Sequence, residues 1–155
     1  MAGRFGLLTH KQARVLALRE GRGLGFSEIA RLLGTTRQDA AATYRRALAN
    51  VEAARETLRV YRLATGIVVE AVKGIPLDSL VEKLLREADS RGVKLRWARA
   101  ELRILLHGLL RDYLEGSRLS RPLALVAGKD GSIEAYPLEE ARRVLKALDA
   151  GGSSP

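Results

Sequence analysis

The sequence predicts a mainly α protein in which an N-terminal tri-helical helix-turn-helix with a long third helix precedes a small α+β domain. Two short helical patterns at residues 27–46 are separated by a single glycine. Residues 35–65 contain neither Gly nor Pro, and from Gly66 onward β-branched runs alternate with amphipathic helical patterns. We therefore expect two domains, at residues 1–65 and 66–150, and a mobile tail at 151–155.

The first helix is predicted over residues 8–20, where it supports the rest of the N-terminal domain. Thr9 and Gln12 have the spacing of a capping box, which satisfies free amides at a helix start. The apolar residues expected to be buried are Ala13, Val15, Leu16, Ala17 and Leu18. The loop GRGLGF at residues 21–26 lacks the Gly-Lys-Ser/Thr of a phosphate-binding loop, so we expect a flexible connection.

The next two helices form the predicted helix-turn-helix. Ser27 is expected to cap the first of them, which presents Ile29, Ala30 and Leu33 on one face. Gly34 follows because a glycine tolerates the left-handed backbone of a tight stop. Thr36 and Asp39 form a second predicted capping box, so the recognition helix should begin near residue 37.

The exposed face of that recognition helix carries donors and small side chains suited to the major groove of DNA. The inward face should consist of Ala40, Tyr44 and Ala47. The side chains predicted to contact DNA are Thr36, Arg37, Gln38, Asp39, Ala41, Ala42, Arg45 and Arg46. The alternative is an ordinary two-helix corner with a solvated basic face.

The same helix carries a heptad pattern along its whole predicted length. Its members are Ala40, Tyr44, Ala47, Val51, Ala54, Leu58 and Tyr61, spaced alternately by four and three residues. We interpret the part from Tyr44 to Tyr61 as the seam of a homodimer. The alternative is that the seam packs against other parts of the same chain.

The charge distribution indicates a polyanionic partner for the N-terminal domain. The chain has a formal net charge of +9, and residues 1–65 hold 12 Lys or Arg against 5 Asp or Glu, whereas residues 66–155 hold 15 against 13. Duplex DNA fits this asymmetry better than a membrane surface, because no strongly hydrophobic face accompanies the charge. An RNA-binding or translation-associated basic protein is the alternative.

Composition also excludes several classes of site. The absence of cysteine rules out disulfides and thiolate ligands, and no apolar run is long enough for a membrane helix. The first residues lack the apolar core of a signal peptide, so we expect a cytoplasmic protein. Scarce Asn, Gln and Met with abundant Arg indicates either a thermophilic source or GC-rich coding.

The C-terminal domain is predicted as strand, helix, short strand, helix, hairpin and helix. These elements occupy residues 67–74, 76–90, 93–96, 98–114, 122–136 and 138–148, with the hairpin turn at Asp130 and Gly131. Apolar pockets leave little trace in a sequence, so whether this domain binds a small-molecule effector stays open.

Candidate catalytic and metal-binding residues are few. His10 and His107 lack ligand spacing, and the carboxylates of Glu82, Glu87, Asp89, Glu139 and Glu140 have no Gly-rich or His-containing context. Trp97 is expected to be a core or rim aromatic rather than a base-stacking platform. We therefore expect no cofactor and no enzymatic activity, although a catalytic C-terminal domain remains a lower-ranked alternative.

Three segments resemble the archaeal Tfx family of DNA-binding transcriptional regulators: LTHKQARVLALRE, SEIARLLGTTR and RALANVEAARETLRVYR. The N-terminal half of that family is similar to the promoter-binding helix-turn-helix of bacterial sigma factors. The most specific part is the continuation of the long helix through Arg46, Ala47, Asn50, Ala54, Thr57, Leu58 and Tyr61. The loop at 21–26 is longer, and residues 39–43 less polar, than the family pattern. The resemblance implies sequence-specific DNA binding.

Overall fold

The computed structural model describes residues 3–150, in two compact units that meet between Leu58 and Arg59. Over that range the chain forms six α-helices and three small antiparallel sheets. The expectation of a mainly α protein is therefore wrong, because sheets share the architecture with helices and the fold is mixed α+β. The predicted tail at 151–155 lies outside the described residues.

The N-terminal unit, up to Leu58, contains a short hairpin and three helices, the last of which continues into the second unit. Its elements are β1 (Arg4–Phe5), β2 (Leu8–Thr9), α1 (His10–Leu16), a π-helical turn (Ala17–Gly21), α2 (Phe26–Leu33) and α3 (Arg37–Thr65). The unit boundary falls inside α3 rather than at Gly66. That residues 1–65 hold the DNA contacts, and residues 66–150 a dimer-stabilising or effector-binding function, stays a prediction.

The start of α1 has the expected capping box. The Gln12 amide donates to the Thr9 hydroxyl at 3.1 Å, and the Thr9 amide donates to the Gln12 side-chain oxygen at 3.0 Å. The buried face differs from the expected one, because Gln12 and Val15 are buried whereas Ala17 is exposed. The helix widens into a π-helical turn at Ala17, and this turn changes the direction in which the side chains from Ala17 onward point.

The predicted capping role of Ser27 is wrong. α2 begins two residues earlier than a Ser27 cap implies, at Phe26 with Gly25 as its N-cap, and the Glu28 carboxylate accepts from the Gly25 amide at 3.3 Å. This bond satisfies a free amide at the helix start, and Ser27 lies exposed in the first turn. α2 ends at Gly34 in the left-handed conformation with φ of 65°, as predicted.

The core of the N-terminal unit is small and draws on the loop between α1 and α2. Its buried residues are Val15, Ile29, Ala30 and Ala40, with Leu18, Leu24, Phe26, Leu33 and Tyr44 partly buried around them. The Leu24 amide donates to the Leu18 carbonyl at 3.1 Å, and Arg19 donates to the Leu24 carbonyl at 3.0 Å. The loop predicted to be flexible is thus anchored by both packing and hydrogen bonds.

The C-terminal unit, from Arg59 onward, is built on a three-stranded sheet. Its elements are β3 (Ile67–Ala71), α4 (Leu77–Ser90), α5 (Arg99–Leu109), a 3₁₀ turn (Arg111–Tyr113), β4 (Leu114–Glu115), β5 (Arg118–Leu119), β6 (Leu123–Ala127), β7 (Ile133–Pro137) and α6 (Leu138–Ala150). The sheet order is β3-β6-β7 with antiparallel pairing, and β4 and β5 form a separate hairpin.

Both faces of the central strand β6 are covered. Leu123, Leu125 and Ala127 belong to the cluster formed with α4 and α5, whereas Ala124 and Val126 face a second cluster. Leu63, near the end of α3, joins α6 in that second cluster. All five residues of β6 are therefore buried, as the continuous apolar run LALVA suggests.

Two predictions for this unit are wrong. Residues 93–96 form no strand, because their backbone pairs with no neighbouring strand of the described chain. Leu95 instead packs against the core, beside Trp97. The helix predicted over 98–114 ends at Leu109, and a 3₁₀ turn and the β4–β5 hairpin replace its last residues. No helix over residues 3–150 has the length and hydropathy needed to cross a membrane.

We predict that Gly66→Ala destabilises the chain. A Cβ at this position would lie 2.6 Å from the carbonyl oxygens of Ala127 and Arg62, so backbone would have to move. Overpacking of this kind costs roughly 1–3 kcal/mol, which chemical denaturation would detect. Gly108→Ala in α5 is the matched control: it has open space and should stabilise the helix by roughly 0.5–1 kcal/mol. Equal effects of the two substitutions would contradict this explanation.

Candidate nucleic-acid interface

The start of α3 is fixed by four side chains. The Thr36 hydroxyl accepts from the Asp39 amide at 3.1 Å, which is the first half of the predicted capping box. The Asp39 carboxylate is instead bonded to the Thr35 hydroxyl, at 2.6 Å, and to the Lys11 ammonium. Bonds to Lys11 and Thr35 hold the pKa of Asp39 below its ordinary value. Asp39 therefore ties α3 to α1.

The first two turns of α3 present a continuous exposed face. Arg37, Gln38 and Arg45 are exposed, and Ala41 is half-buried beside them. Together with Phe26, these four residues line a shallow concave surface. Ala42 is half-buried, and Arg46 and Thr36 are exposed at the margins of this face. Contact of any of these side chains with DNA stays a prediction.

The opposite face of α3 packs into the N-terminal unit. Ala40 and Ala47 are fully buried, and Thr43 between them is 2% exposed. Tyr44 is half-buried, with its ring centroid 5.5 Å from that of Phe26. Small residues at positions 40 and 47 allow α3 to lie close to α1 and α2, which determines which side chains remain outside.

The Tyr44 hydroxyl has a second role at the edge of this packing. It donates a hydrogen bond to the Glu20 carboxylate, and that bond is the main reason why the pKa of Tyr44 is raised. Arg19 lies with its guanidinium carbon 4.5 Å from the centroid of Phe26. Phe26 was not among the predicted site residues because residues 21–26 were expected to form a loop, although an aromatic residue directly before an amphipathic pattern indicates packing at a helix start.

A polar network connects α1 to the middle of α3. The side-chain oxygen of Gln12, a residue that is only 9% exposed, accepts from the Asn50 amide at 3.1 Å. The Asn50 amide also donates to the Leu7 carbonyl at 3.0 Å. Asn50 is the sole asparagine of the chain, and its partner Gln12 lies 38 positions away. The sequence pattern gave no indication of this pairing.

Around the exposed face of α3 the carboxylates have partners within the described part of the chain, whereas two of the arginines do not. The carboxylates of Glu20, Glu28 and Asp39 each accept a hydrogen bond from elsewhere in the N-terminal unit. Over residues 3–150, Arg37 and Arg45 make no ion pair. Two guanidinium groups thus remain on this face with their full hydrogen-bonding capacity.

The predicted dimer seam changes character along α3. Ala40, Tyr44 and Ala47 contribute to the core of their own unit, and Val51 and Ala54 are half-buried. Leu58 and Tyr61 are 46% and 48% exposed, respectively. The first part of the seam therefore packs within the chain, whereas pairing through the second part stays a prediction.

The remaining titratable residues form no metal-binding group within the described range. His10 lies at the start of α1, with its ring centroid 6.1 Å from that of Phe5, and His107 is exposed on α5. Glu82 pairs with Arg99, and Glu140 pairs with Arg59 at 2.7 Å. These carboxylates belong to surface ion pairs.

Comparisons with known proteins place this arrangement in a family, although no family model matches the chain. A Thermococcus kodakarensis protein named "Putative transcriptional regulatory protein" is 44% identical over 96 residues, which are 61% of this chain and 63% of the relative. A protein of the same description from Pyrococcus abyssi is 39% identical over 110 residues, 69% of this chain and 75% of the relative. The "DNA-binding protein Tfx" of Methanothermobacter thermautotrophicus is 39% identical over 87 residues, 56% of this chain and 62% of that protein. The chain belongs to the archaeal Tfx family.

The coverage of these Tfx-family relatives is partial. The chain matches less than two thirds of the length of the Thermococcus protein and of the Methanothermobacter protein. A relative from Methanocaldococcus jannaschii matches over 128 residues, 82% of this chain and 93% of the relative, at 27% identity. The similarity to the Tfx family therefore extends past the N-terminal unit into the C-terminal one.

We predict that Asp39 makes the stability of the chain dependent on acid pH. The folded-state pKa of Asp39 is depressed, so its contribution is present above its ordinary pKa of 3.8 and is lost as pH falls through the lower folded value. The melting temperature of Asp39→Asn should lie below that of the parent at neutral pH, and the gap should narrow on acidification.

Glu52→Gln is the control for this prediction. The Glu52 carboxylate lies 3.9 Å from Arg55, and both side chains are 75% exposed. Such a pair contributes little, so Glu52→Gln should melt close to the parent at every pH. A gap between Asp39→Asn and the parent that stays constant down to strongly acidic pH would contradict the assignment.

Proposed function

We propose that this chain is a sequence-specific regulator of transcription that binds double-stranded DNA and places the first turns of α3 in the major groove. The observation that carries the proposal is the exposed face of Arg37, Gln38, Ala41 and Arg45, which α1 and α2 support from behind. The name of the Methanothermobacter relative, which states DNA binding, supports the same assignment.

The chemistry of this face suits base contacts at its centre and phosphate contacts at its margin. A Gln side chain pairs with the N6 and N7 edge of adenine, and Arg bonds to guanine or to phosphate. Ala41 lies between Arg37 and Gln38 on the surface of the helix, and its small side chain lets the helix approach the groove floor. Arg46 lies at the side of the face and is proposed to contact the DNA backbone.

The geometry favours DNA over RNA. The major groove of B-form DNA admits an α-helix, whereas that of A-form RNA is too narrow for side chains to reach the bases. Single-stranded RNA is usually bound through aromatic residues that stack on bases. On the exposed face of α3 the only neighbouring aromatic residue within the described range is Phe26, which packs against Tyr44.

The first test is a selection of bound sequences from a random duplex library with the parent, Gln38→Ala and Arg46→Ala. We predict that Gln38→Ala relaxes preference at one base pair and costs roughly 1–3 kcal/mol of binding free energy on the preferred site. Arg46→Ala should weaken all sequences about equally and reduce the salt slope by about one contact, or ~0.9.

Arg55→Ala is the matched control, because Arg55 lies on the same helix with 75% of its side chain exposed. It should leave both sequence preference and salt slope unchanged. The proposal fails if affinity is insensitive to salt, if structured RNA competes better than duplex DNA, or if Gln38→Ala selects the same sequences as the parent.

We also propose that a second copy of the chain covers the later part of the seam, at Val51, Ala54, Leu58 and Tyr61. A helix-turn-helix dimer binds two half-sites separated by about 34 Å, one turn of DNA, or a multiple of it. Such a dimer is symmetric, so the same seam residues of both protomers form the two sides of the interface. The exposure of Leu58 and Tyr61 supports this proposal.

We predict that Leu58→Glu converts the dimer into a monomer, because two carboxylates would then face each other across an apolar seam. Sedimentation or light scattering at micromolar concentration would measure the change. Ala53→Glu, at an exposed position of α3 outside the seam, introduces the same charge and should leave the dimer intact. A parent that is monomeric, or a dimer that survives Leu58→Glu, would show that the seam has no role in self-association.

A further inference from the structure

The C-terminal unit contains a surface cavity that neither its core nor the proposed DNA interface uses. Two adjoining depressions, of about 230 and 350 Å³, share Val93, Leu95, Ala127, Gly128 and Lys129 in their lining. The larger is close to the size range of sites for small organic molecules. Its walls come from the segment between α4 and α5 and from the loop that joins β6 to β7.

The floor of the cavity is apolar and firmly supported. Ala127 is 6% exposed, and Leu95 and Trp97 are partly buried against the main core cluster of the unit. Leu95 and Trp97 belong to the segment 93–97, which forms no helix or strand but is held in place by their packing against the core. A ligand placed here would therefore meet a preformed apolar surface.

The rim of the cavity carries cations that the fold leaves unneutralised. Lys94, Arg96 and Lys129 line the larger depression and are exposed, and over residues 3–150 none of the three forms an ion pair. Arg91, at the smaller depression, lies 3.1 Å from Glu87. The three free cations thus stand around an apolar floor.

The one carboxylate in the loop between β6 and β7, that of Asp130, already has hydrogen-bond and ion-pair partners within the fold. Asp130 accepts from the Ser132 amide at 3.1 Å and from the Ser132 hydroxyl, and it lies 3.6 Å from Arg62. Asp130 is therefore directed into its own loop and toward α3, and it does not neutralise the cations at the rim.

Arg96 lies beside both the ring of Trp97 and the turn between β6 and β7. Its guanidinium carbon lies 5.6 Å from the centroid of the Trp97 ring. A Cβ built on Gly131 would lie 3.5 Å from one terminal nitrogen of Arg96, so the guanidinium packs beside the turn between β6 and β7. A planar cation next to an indole ring offers stacking and cation–π contact to a planar ligand.

We propose that this cavity binds a small organic anion with a planar ring, of the size of a nucleoside monophosphate or an aromatic carboxylate. The ring would lie over Leu95, Trp97 and Arg96, and the anionic group would bond to Lys94 and Lys129. Charge-assisted hydrogen bonds supply affinity for the anion, and the apolar floor supplies affinity for the ring.

The position of the cavity also suggests a regulatory role, which rests on the proposed function. Thr65, the last residue of α3, and Gly66 line the smaller depression. Arg62 of α3 contacts Asp130 in the loop that forms the cavity wall. A bound anion would lie against this loop, whose Asp130 contacts the end of the helix whose beginning is proposed to bind DNA, and it would act as an effector.

Trp97 permits a direct binding test, because it is the sole tryptophan of the chain and lines the cavity. Its fluorescence in the full-length protein, without DNA, is followed during titration with the four common nucleoside monophosphates and with benzoate. Adenosine, as the neutral ring, and inorganic phosphate, as the anion without a ring, are the controls. We expect saturable binding of at least one ring-bearing anion and much weaker binding of both controls.

The double variant Arg96→Gln/Lys129→Gln should weaken that binding by about tenfold or more, the equivalent of losing a charge-assisted hydrogen bond. The matched control is Arg143→Gln/Lys146→Gln on the exposed face of α6, which removes the same charges elsewhere and should change affinity less than twofold. Near-equal effects of the two double variants would overturn the proposal.

Three other results would also overturn it: no saturable response to any ring-bearing anion, binding of adenosine as tight as that of its monophosphate, or a loss of duplex DNA affinity in Arg96→Gln/Lys129→Gln without any response to small anions. The last result would assign the cations to a DNA contact. Because the titration contains no DNA, its failure leaves the proposed function to be judged by the selection experiment alone.

Discussion

The orientation of α3 depends on the hydrogen bond that the side-chain amide of Asn50 donates to the side-chain oxygen of Gln12 inside the N-terminal unit. Gln12 is nearly inaccessible, and its side-chain oxygen accepts both from the Thr9 amide and from Asn50. Another rotation of α3 against α1 would leave this largely buried oxygen with only the Thr9 amide as donor, so the network favours the observed rotation. With α3 held in this way, Ala40 enters the core and Gln38 remains outside.

The end of α3 is fixed by different forces. Leu63 is buried against α6 and β6, while Arg62 lies within 4 Å of carboxylate oxygens of Asp130 and Glu134. A hydrogen bond to Tyr136 is the main reason why the pKa of Arg62 is raised. One continuous helix thus begins in a unit with an exposed basic face and ends beside a cavity rimmed by cations.

Local signals were sufficient for much of the fold. The Thr9 capping box, the left-handed Gly34 and the hairpin of β6 and β7 were all predicted, because each depends on residues close in sequence. The mainly α class was wrong because the strands are few and short, so their weight in the architecture depends on pairing between distant segments. The prediction of a strand at 93–96 was wrong for the same reason. Its β-branched and apolar residues favour a strand, but no other segment of the described chain pairs with their backbone, and Leu95 packs against the core instead.

Dimethyl sulfate protection on a selected duplex tests whether the exposed face of α3 enters the major groove, as proposed. The reagent methylates N7 of guanine, which lies in the major groove, and N3 of adenine, which lies in the minor groove. We predict that the bound protein protects guanine N7 within each half-site, while adenine N3 at the same base pairs stays reactive. Protection of adenine N3 with reactive guanine N7 would instead place the protein in the minor groove.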